Sequence, residues 1–173
     1  MDRSAEIRKA LDRAQSVFAA KPAAARVTKG GRATLKEGLT CEYLEGSWKL
    51  LADMPVPLGG EDKALSPGGY ARAGLSMCLA IGYAVRAAHR GVMLRKVEVD
   101  IECDTDLGSV FGIPGIPVGY SEFRYSVRIE SEAPETAILA LIDEADARSP
   151  VLDAFGRAQK IVRSIAVSRP ETV

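Results

Sequence analysis

Residues 66–91, SPGGYARAGLSMCLAIGYAVRAAHRG, constrain the fold more than any other stretch of this chain. Ser66 before Pro67 is a helix start, because the hydroxyl can cap free backbone N–H groups and proline suits the first turn. Gly91 is the matching stop, a residue that readily adopts the left-handed conformation just past a last turn. Between them, residues 73–85 carry no charge. Arg72, Ser76, Tyr83, Arg86 and Arg90 leave only a narrow polar strip. A helix apolar nearly all round is normally the buried centre of a domain. Its charge-free run is too short for a membrane span, and arginines bound it on both sides. Cys78 lies at its middle, and the question is whether that thiol is core or chemistry.

At 173 residues the chain is read as one domain, 1–173, large enough for a hydrophobic core without staples. Lys plus Arg equals Asp plus Glu, 23 each, so no nucleic-acid partner is expected. No membrane association is expected either. The N-terminus lacks the apolar core of a signal peptide, and a cytoplasmic location follows as the expectation. Cys41, Cys78 and Cys103 have no zinc-like spacing and His89 is the only histidine, so neither a metal nor another cofactor is expected. The same shortage argues against Cys–His and Ser–His–Asp hydrolases. His89 falls in the last turn of the central helix, where a cation meets the negative end of the dipole.

Residues 4–20 repeat Ile7, Leu11, Ala14, Val17 and Phe18 at helical spacing, and predict a peripheral N-terminal helix within 1–22 that the Lys21–Pro22 step ends. The period then changes to two. Leu39, Cys41 and Tyr43 share one strand face, Gly46 supplies a turn, and Trp48, Leu50 and Ala52 share the next face. Residues 32–35 are a further short strand. Such a hairpin needs another layer or another subunit to cover it. After the central helix, Val97, Val99, Ile101 and Cys103 alternate with Glu98, Asp100 and Glu102, and residues 122–130 form a second strand with Phe123, Tyr125, Val127 and Ile129 inward. Between these strands the GIPGIPVG run within 108–119 cannot be regular, and is apolar enough to lie over a pocket or a partner. Residues 134–148 predict a helix. Ser149–Pro150 repeats the Ser66–Pro67 signal and opens another, from 151 to about 164, with Phe155, Ile161 and Val162 inside. Residues 165–167 are a candidate terminal strand. The order describes an α+β domain with helices packed on an antiparallel sheet.

With those elements placed, the chain resembles the OsmC/Ohr family of thiol-dependent hydroperoxide reductases. The residues that carry the resemblance are Gly59–Gly60, Ser66–Pro67, LSMCLA over 75–80, the strand over 97–104, Ala133–Pro134–Glu135, and residues 145–151 with their helix-opening proline. It spans about 39–167. It implies an antiparallel sheet with a long central helix in an intertwined homodimer, with active sites at the subunit interface. It makes Cys78 the peroxide-attacking thiol, oxidised to a sulfenic acid that a second thiol converts to a disulfide. The family also supplies an arginine held by a glutamate to favour the thiolate.

The chain departs from that pattern around the nucleophile. Ser149 stands at the resolving-cysteine position, and Gly68 or Gly69 where the glutamate is expected. No arginine lies in 40–48. Arg26, Arg32 and Arg72 are candidate replacements for the cation, and Cys103 is an alternative resolving thiol. Without the resemblance, Cys78, Cys103 and Cys41 read as core, since free cysteine behaves as a small hydrophobe, and Ser149 reads as a helix N-cap. Two functions follow: a Cys78 thiol peroxidase with a degenerate site, recycled by an external thiol reductant or by Cys103, or a non-catalytic OsmC-like dimer whose interface binds a small hydrophobic ligand. A cation on a partly exposed Cys78 favours the first, and an apolar shell favours the second.

Overall fold

The predicted central helix is α2 (Pro67–Arg90), and everything else in the molecule is placed by its buried stripe. A computed structural model of the protein describes residues 3–169. Ser66 Oγ accepts from the Gly69 N–H at 3.2 Å, and Gly91 closes the helix at φ +68°. Helix α1 (Ser4–Ala20) lies across this end and buries no residue fully. Its Arg8 Nε donates to the Ala88 carbonyl at 3.1 Å, supplying a cation to the negative end of α2.

Leu75, Leu79, Tyr83 and Ala87 recur every four residues along one side of α2 and are all buried. They face a hairpin of β4 (Lys96–Thr105) and β5 (Tyr120–Glu130), and helix α3 (Glu135–Asp146) through Leu141 and Ala145. The antiparallel register pairs Val97 with Ile129, Val99 with Val127, Ile101 with Tyr125 and Cys103 with Phe123, so the period-two pattern read from sequence becomes one apolar face. On the other face Arg128 meets Asp100 at 2.6 Å and Arg124 meets Asp104 at 2.5 Å.

Strands β1 (Arg32–Leu35), β2 (Cys41–Glu45) and β3 (Trp48–Ala52) make a second antiparallel sheet, turned at Gly46 (φ +57°). One tie holds it to the start of α2 and another to the loop that leads there. Tyr70 donates its hydroxyl to the Leu51 carbonyl at 2.6 Å. The carboxylate of Asp53, only 1% exposed, accepts the backbone N–H groups of Met54, Glu61 and Lys63 at 2.8–3.1 Å. Trp48 is 76% exposed, and Leu35, Leu44, Leu50 and Leu51 are each only partly covered by the described chain.

The C-terminal end departs from expectation. Helix α4 spans Pro150–Gly156 instead of running to about 164. Gly156 is a poor helix residue, and Arg157 already has extended dihedrals (φ −141°, ψ 154°). Ile161 and Val162, expected inside, are 88% and 80% exposed, and residues 165–167 form no strand, because no strand edge among the described residues pairs with them. Phe155 is partly exposed, stacked edge-on against Phe123. The glycine-proline loop is irregular apart from a short 3-10 turn at Leu107–Ser109, and Val110, Phe111, Ile113 and Val118 on it are exposed. Among the described residues no helix is long and apolar enough to cross a membrane.

Candidate functional site

Cys78 occupies the middle of α2, half-buried, beside the buried Leu75 and Leu79. The neighbour that meets its sulfur is Ser149. Helix α3 ends at Asp146 and α4 begins at Pro150, so residues 147–149 make a tight corner against α2. Ser149 caps α4 as its sequence predicts, with Oγ accepting from the Leu152 N–H at 3.2 Å. The same oxygen lies 3.4 Å from Cys78 Sγ. Either group can donate while the thiol holds its proton. Once the sulfur is a thiolate, only the serine hydroxyl has a proton to give. Ser149 is 6% exposed, so this contact is sheltered from water.

The candidate cations lie elsewhere. Arg72 Nη1 donates to Cys103 Sγ at 3.5 Å. Six residues of helix separate Arg72 from Cys78, about 9 Å along the axis and on a different face, so the guanidinium reaches the strand and not the thiol. Arg26 and Arg32 are exposed, on the N-terminal side of the second sheet and at its first strand. Among the described residues no lysine or arginine is hydrogen-bonded to Cys78. Cys41, Cys78 and Cys103 are all free thiols, and Cys103 is engaged by Arg72. At Gly68, where a glutamate is expected by resemblance, a Cβ would come within 3.0 Å of the Tyr120 hydroxyl and 3.7 Å of Arg72 Nη1. Tyr120 and Arg72 thus border the space a longer side chain would take. No group of His, Cys, Asp and Glu among the described residues could hold a metal ion.

An open cavity of about 390 Å³ lies one helical turn from the Cys78–Ser149 pair, which does not itself line it; Leu75, Tyr120, Phe123, Tyr125, Leu152 and Phe155 form its walls together with the polar Ser121 and Glu122. Leu75 is one turn before Cys78 and Leu152 one turn after Ser149, which sets the cavity against the same two helical turns. Phe123 meets Tyr120 and Phe155 edge-to-face, each at 4.7 Å between centroids.

Sequence reasoning missed the group that braces this corner. Asp146 accepts the Tyr83 hydroxyl on Oδ1 and the Tyr125 hydroxyl on Oδ2, both at 2.8 Å. Burial and the bond to Asp146 raise the ionisation of Tyr83 well above the usual phenol range, and push Tyr125 up to about 12. Both phenols therefore remain proton donors at neutral pH. The sequence does carry a signal: an acid in the last turn of a helix opposes the dipole, and so asks for a partner elsewhere. Two residues back, Glu144 binds Arg90 at 2.6 Å and Arg86 at 3.4 Å.

The OsmC-like protein family model matches residues 60–163. Among solved structures, an OsmC-like protein from Mycoplasma pneumoniae is 18% identical, over 75% of this chain and 88% of its own, with a TM-score of 0.64. An organic hydroperoxide resistance protein OsmC from Legionella pneumophila is 21% identical, over 76% and 90%, with a TM-score of 0.55. An OsmC-like protein of unknown function from Vibrio cholerae is 13% identical, over 75% and 94%, with a TM-score of 0.59. At these identities the likeness establishes the α+β fold. No curated protein matches the chain.

Proposed function

Because the chain belongs to the family of OsmC-like proteins, we propose that it reduces organic hydroperoxides with Cys78 as its single reacting cysteine. The Cys78 thiolate attacks the outer oxygen of the hydroperoxide, the O–O bond breaks, and the remaining oxygen keeps the electron pair, takes a proton and leaves as the alcohol. Cys78 is then a sulfenic acid. Ser149 cannot condense with it to a disulfide. An external thiol attacks the sulfenic sulfur instead, water departs, and a second external thiol releases reduced Cys78 as an external disulfide forms.

The observation that carries this reading is the 3.4 Å contact between Cys78 Sγ and Ser149 Oγ, one helical turn from a cavity with aromatic walls. The serine oxygen already accepts from Leu152, so its proton is available to the charged sulfur. The hydroperoxide-resistance name of the Legionella relative accords with it. The test is consumption of cumene hydroperoxide driven by dithiothreitol. Slow turnover that disappears in Cys78→Ser is expected. Turnover that survives the substitution, or none in the unmodified protein, refutes the reading.

A second reading is favoured by Arg72 being held at Cys103, which leaves no guanidinium among the described residues on Cys78. In it, the protein is a non-catalytic dimer and the aromatic cavity binds a small hydrophobic molecule. Saturable binding of an apolar fluorescent probe, unchanged in Cys78→Ser and accompanied by no peroxide consumption, would establish it. Both readings place the protein in a homodimer, supported by the uncovered faces of β1–β3, of the 108–119 loop and of residues 161–167.

A further inference from the structure

We propose that Asp146 is a positioning residue for the Cys78–Ser149 pair, holding Ser149 Oγ on the sulfur through the short corner between α3 and α4. This rests on Cys78 being the reacting thiol.

The argument is geometric. Three residues separate Asp146 from Pro150, and the Ser149 N–H donates to the Asp146 carbonyl at 3.1 Å. Where Asp146 is fixed, Ser149 is therefore fixed as well. Asp146 is fixed from two sides: Tyr83 comes from α2, the helix that carries Cys78, and Tyr125 comes from β5. Tyr83 is fully buried and lies five residues beyond Cys78, so α2 is joined to this corner at two levels, Tyr83 with Asp146 and Cys78 with Ser149. A hydroxyl–sulfur contact at 3.4 Å depends on such bracing, since hydrogen bonds fade quickly with distance and angle. Tyr125 also lines the cavity, so one wall of that cavity and the thiol's hydroxyl neighbour share a single carboxylate.

The test is a double-mutant cycle on the rate at which iodoacetamide alkylates Cys78, followed by peptide mass spectrometry so that Cys41 and Cys103 are read separately. No hydroperoxide is involved, so a protein inactive as a peroxidase would leave this test standing. Ser149→Ala should slow alkylation about tenfold at neutral pH, and Asp146→Asn about threefold, each moving the pH–rate profile upward. The double variant should match Ser149→Ala alone, because Asp146 acts through Ser149. Wild-type or faster alkylation in Asp146→Asn, or slowing by the same factor in both backgrounds, overturns the proposal. Should Asp146→Asn fail to fold, Tyr125→Phe keeps the ring, removes one donor and enters the same cycle, where slowing only in the presence of Ser149 supports the proposal and any other pattern overturns it.

Discussion

Replacing Ser149 with cysteine tests the geometry most directly. The Cys78 and Ser149 side-chain atoms are 3.4 Å apart, and a disulfide needs about 2.05 Å between sulfurs. The gap of about 1.3 Å is partly closed by the longer carbon–sulfur bond of the new side chain, and side-chain rotation supplies the rest. The two residues are 71 apart in sequence, and closing a loop of that size stabilises by about 4 kcal/mol in the chain-entropy treatment. Loss of the serine cap costs about 1 kcal/mol in both redox forms. Oxidised Ser149→Cys should therefore melt roughly 8–16 °C above its own reduced form when closure is free of strain, and less where strain enters. The assay is mild diamide oxidation, mass-spectrometric identification of a disulfide between Cys78 and the introduced thiol, and paired melting curves. Hydroperoxide turnover should stay slow, because the added thiol brings no cation to Cys78. Failure to form the linkage, an oxidised form that melts no higher than the reduced one, or fast turnover would each refute the reasoning.

The Ser149→Ala variant should lose about 1 kcal/mol in a denaturant titration, since the Leu152 N–H loses its acceptor; an unchanged midpoint contradicts the cap. Asp53 is held below the usual carboxylate value of 3.8, chiefly by the Lys63 N–H and then by those of Met54 and Glu61, against the effect of burial. Its stabilising contribution is complete above the unfolded value, near 4, and disappears as pH falls through the lower folded value. Urea midpoints should show that acid-sensitive component in the unmodified protein and not in Asp53→Asn, and identical pH profiles would exclude it. The uncovered sheet and loop predict a homodimer burying more than about 2,000 Å², and Cys78→Ser should remain dimeric; a folded monomer in light scattering at micromolar concentration is the contrary result.

Local pattern is legible in this sequence and distant pairing is not. Ser66 and Gly91 set both ends of α2 because capping depends on a few adjacent residues. The alternation over 97–103 survives as the register with β5, because a strand's period fixes which side chains share a face. The pattern overextends the helix after Ser149 because Ile161 and Val162 look like an inward stripe, although Gly156 interrupts it and the described chain beyond has nothing within the molecule to pack on. Tyr83 and Asp146 are 63 residues apart, and Arg72 and Cys103 are 31 apart. Which of two cysteines an arginine reaches depends on its angle around α2, and spacing along the chain does not reveal that without the strand in place.

Ser149 shows why the two readings of one residue need not compete. A hydroxyl has two lone pairs and one proton. Here one lone pair takes the Leu152 N–H and starts α4, which leaves the other lone pair to meet a neutral thiol and the proton to meet a thiolate at Cys78. A cysteine at this position would cap poorly but could close a disulfide; the serine caps well and can only hydrogen-bond. On the proposed function, Ser149 therefore offers Cys78 no disulfide at this corner, and recycling passes to an external thiol. The helix start that looks purely structural in the sequence is, through one oxygen atom, also the sulfur's polar neighbour.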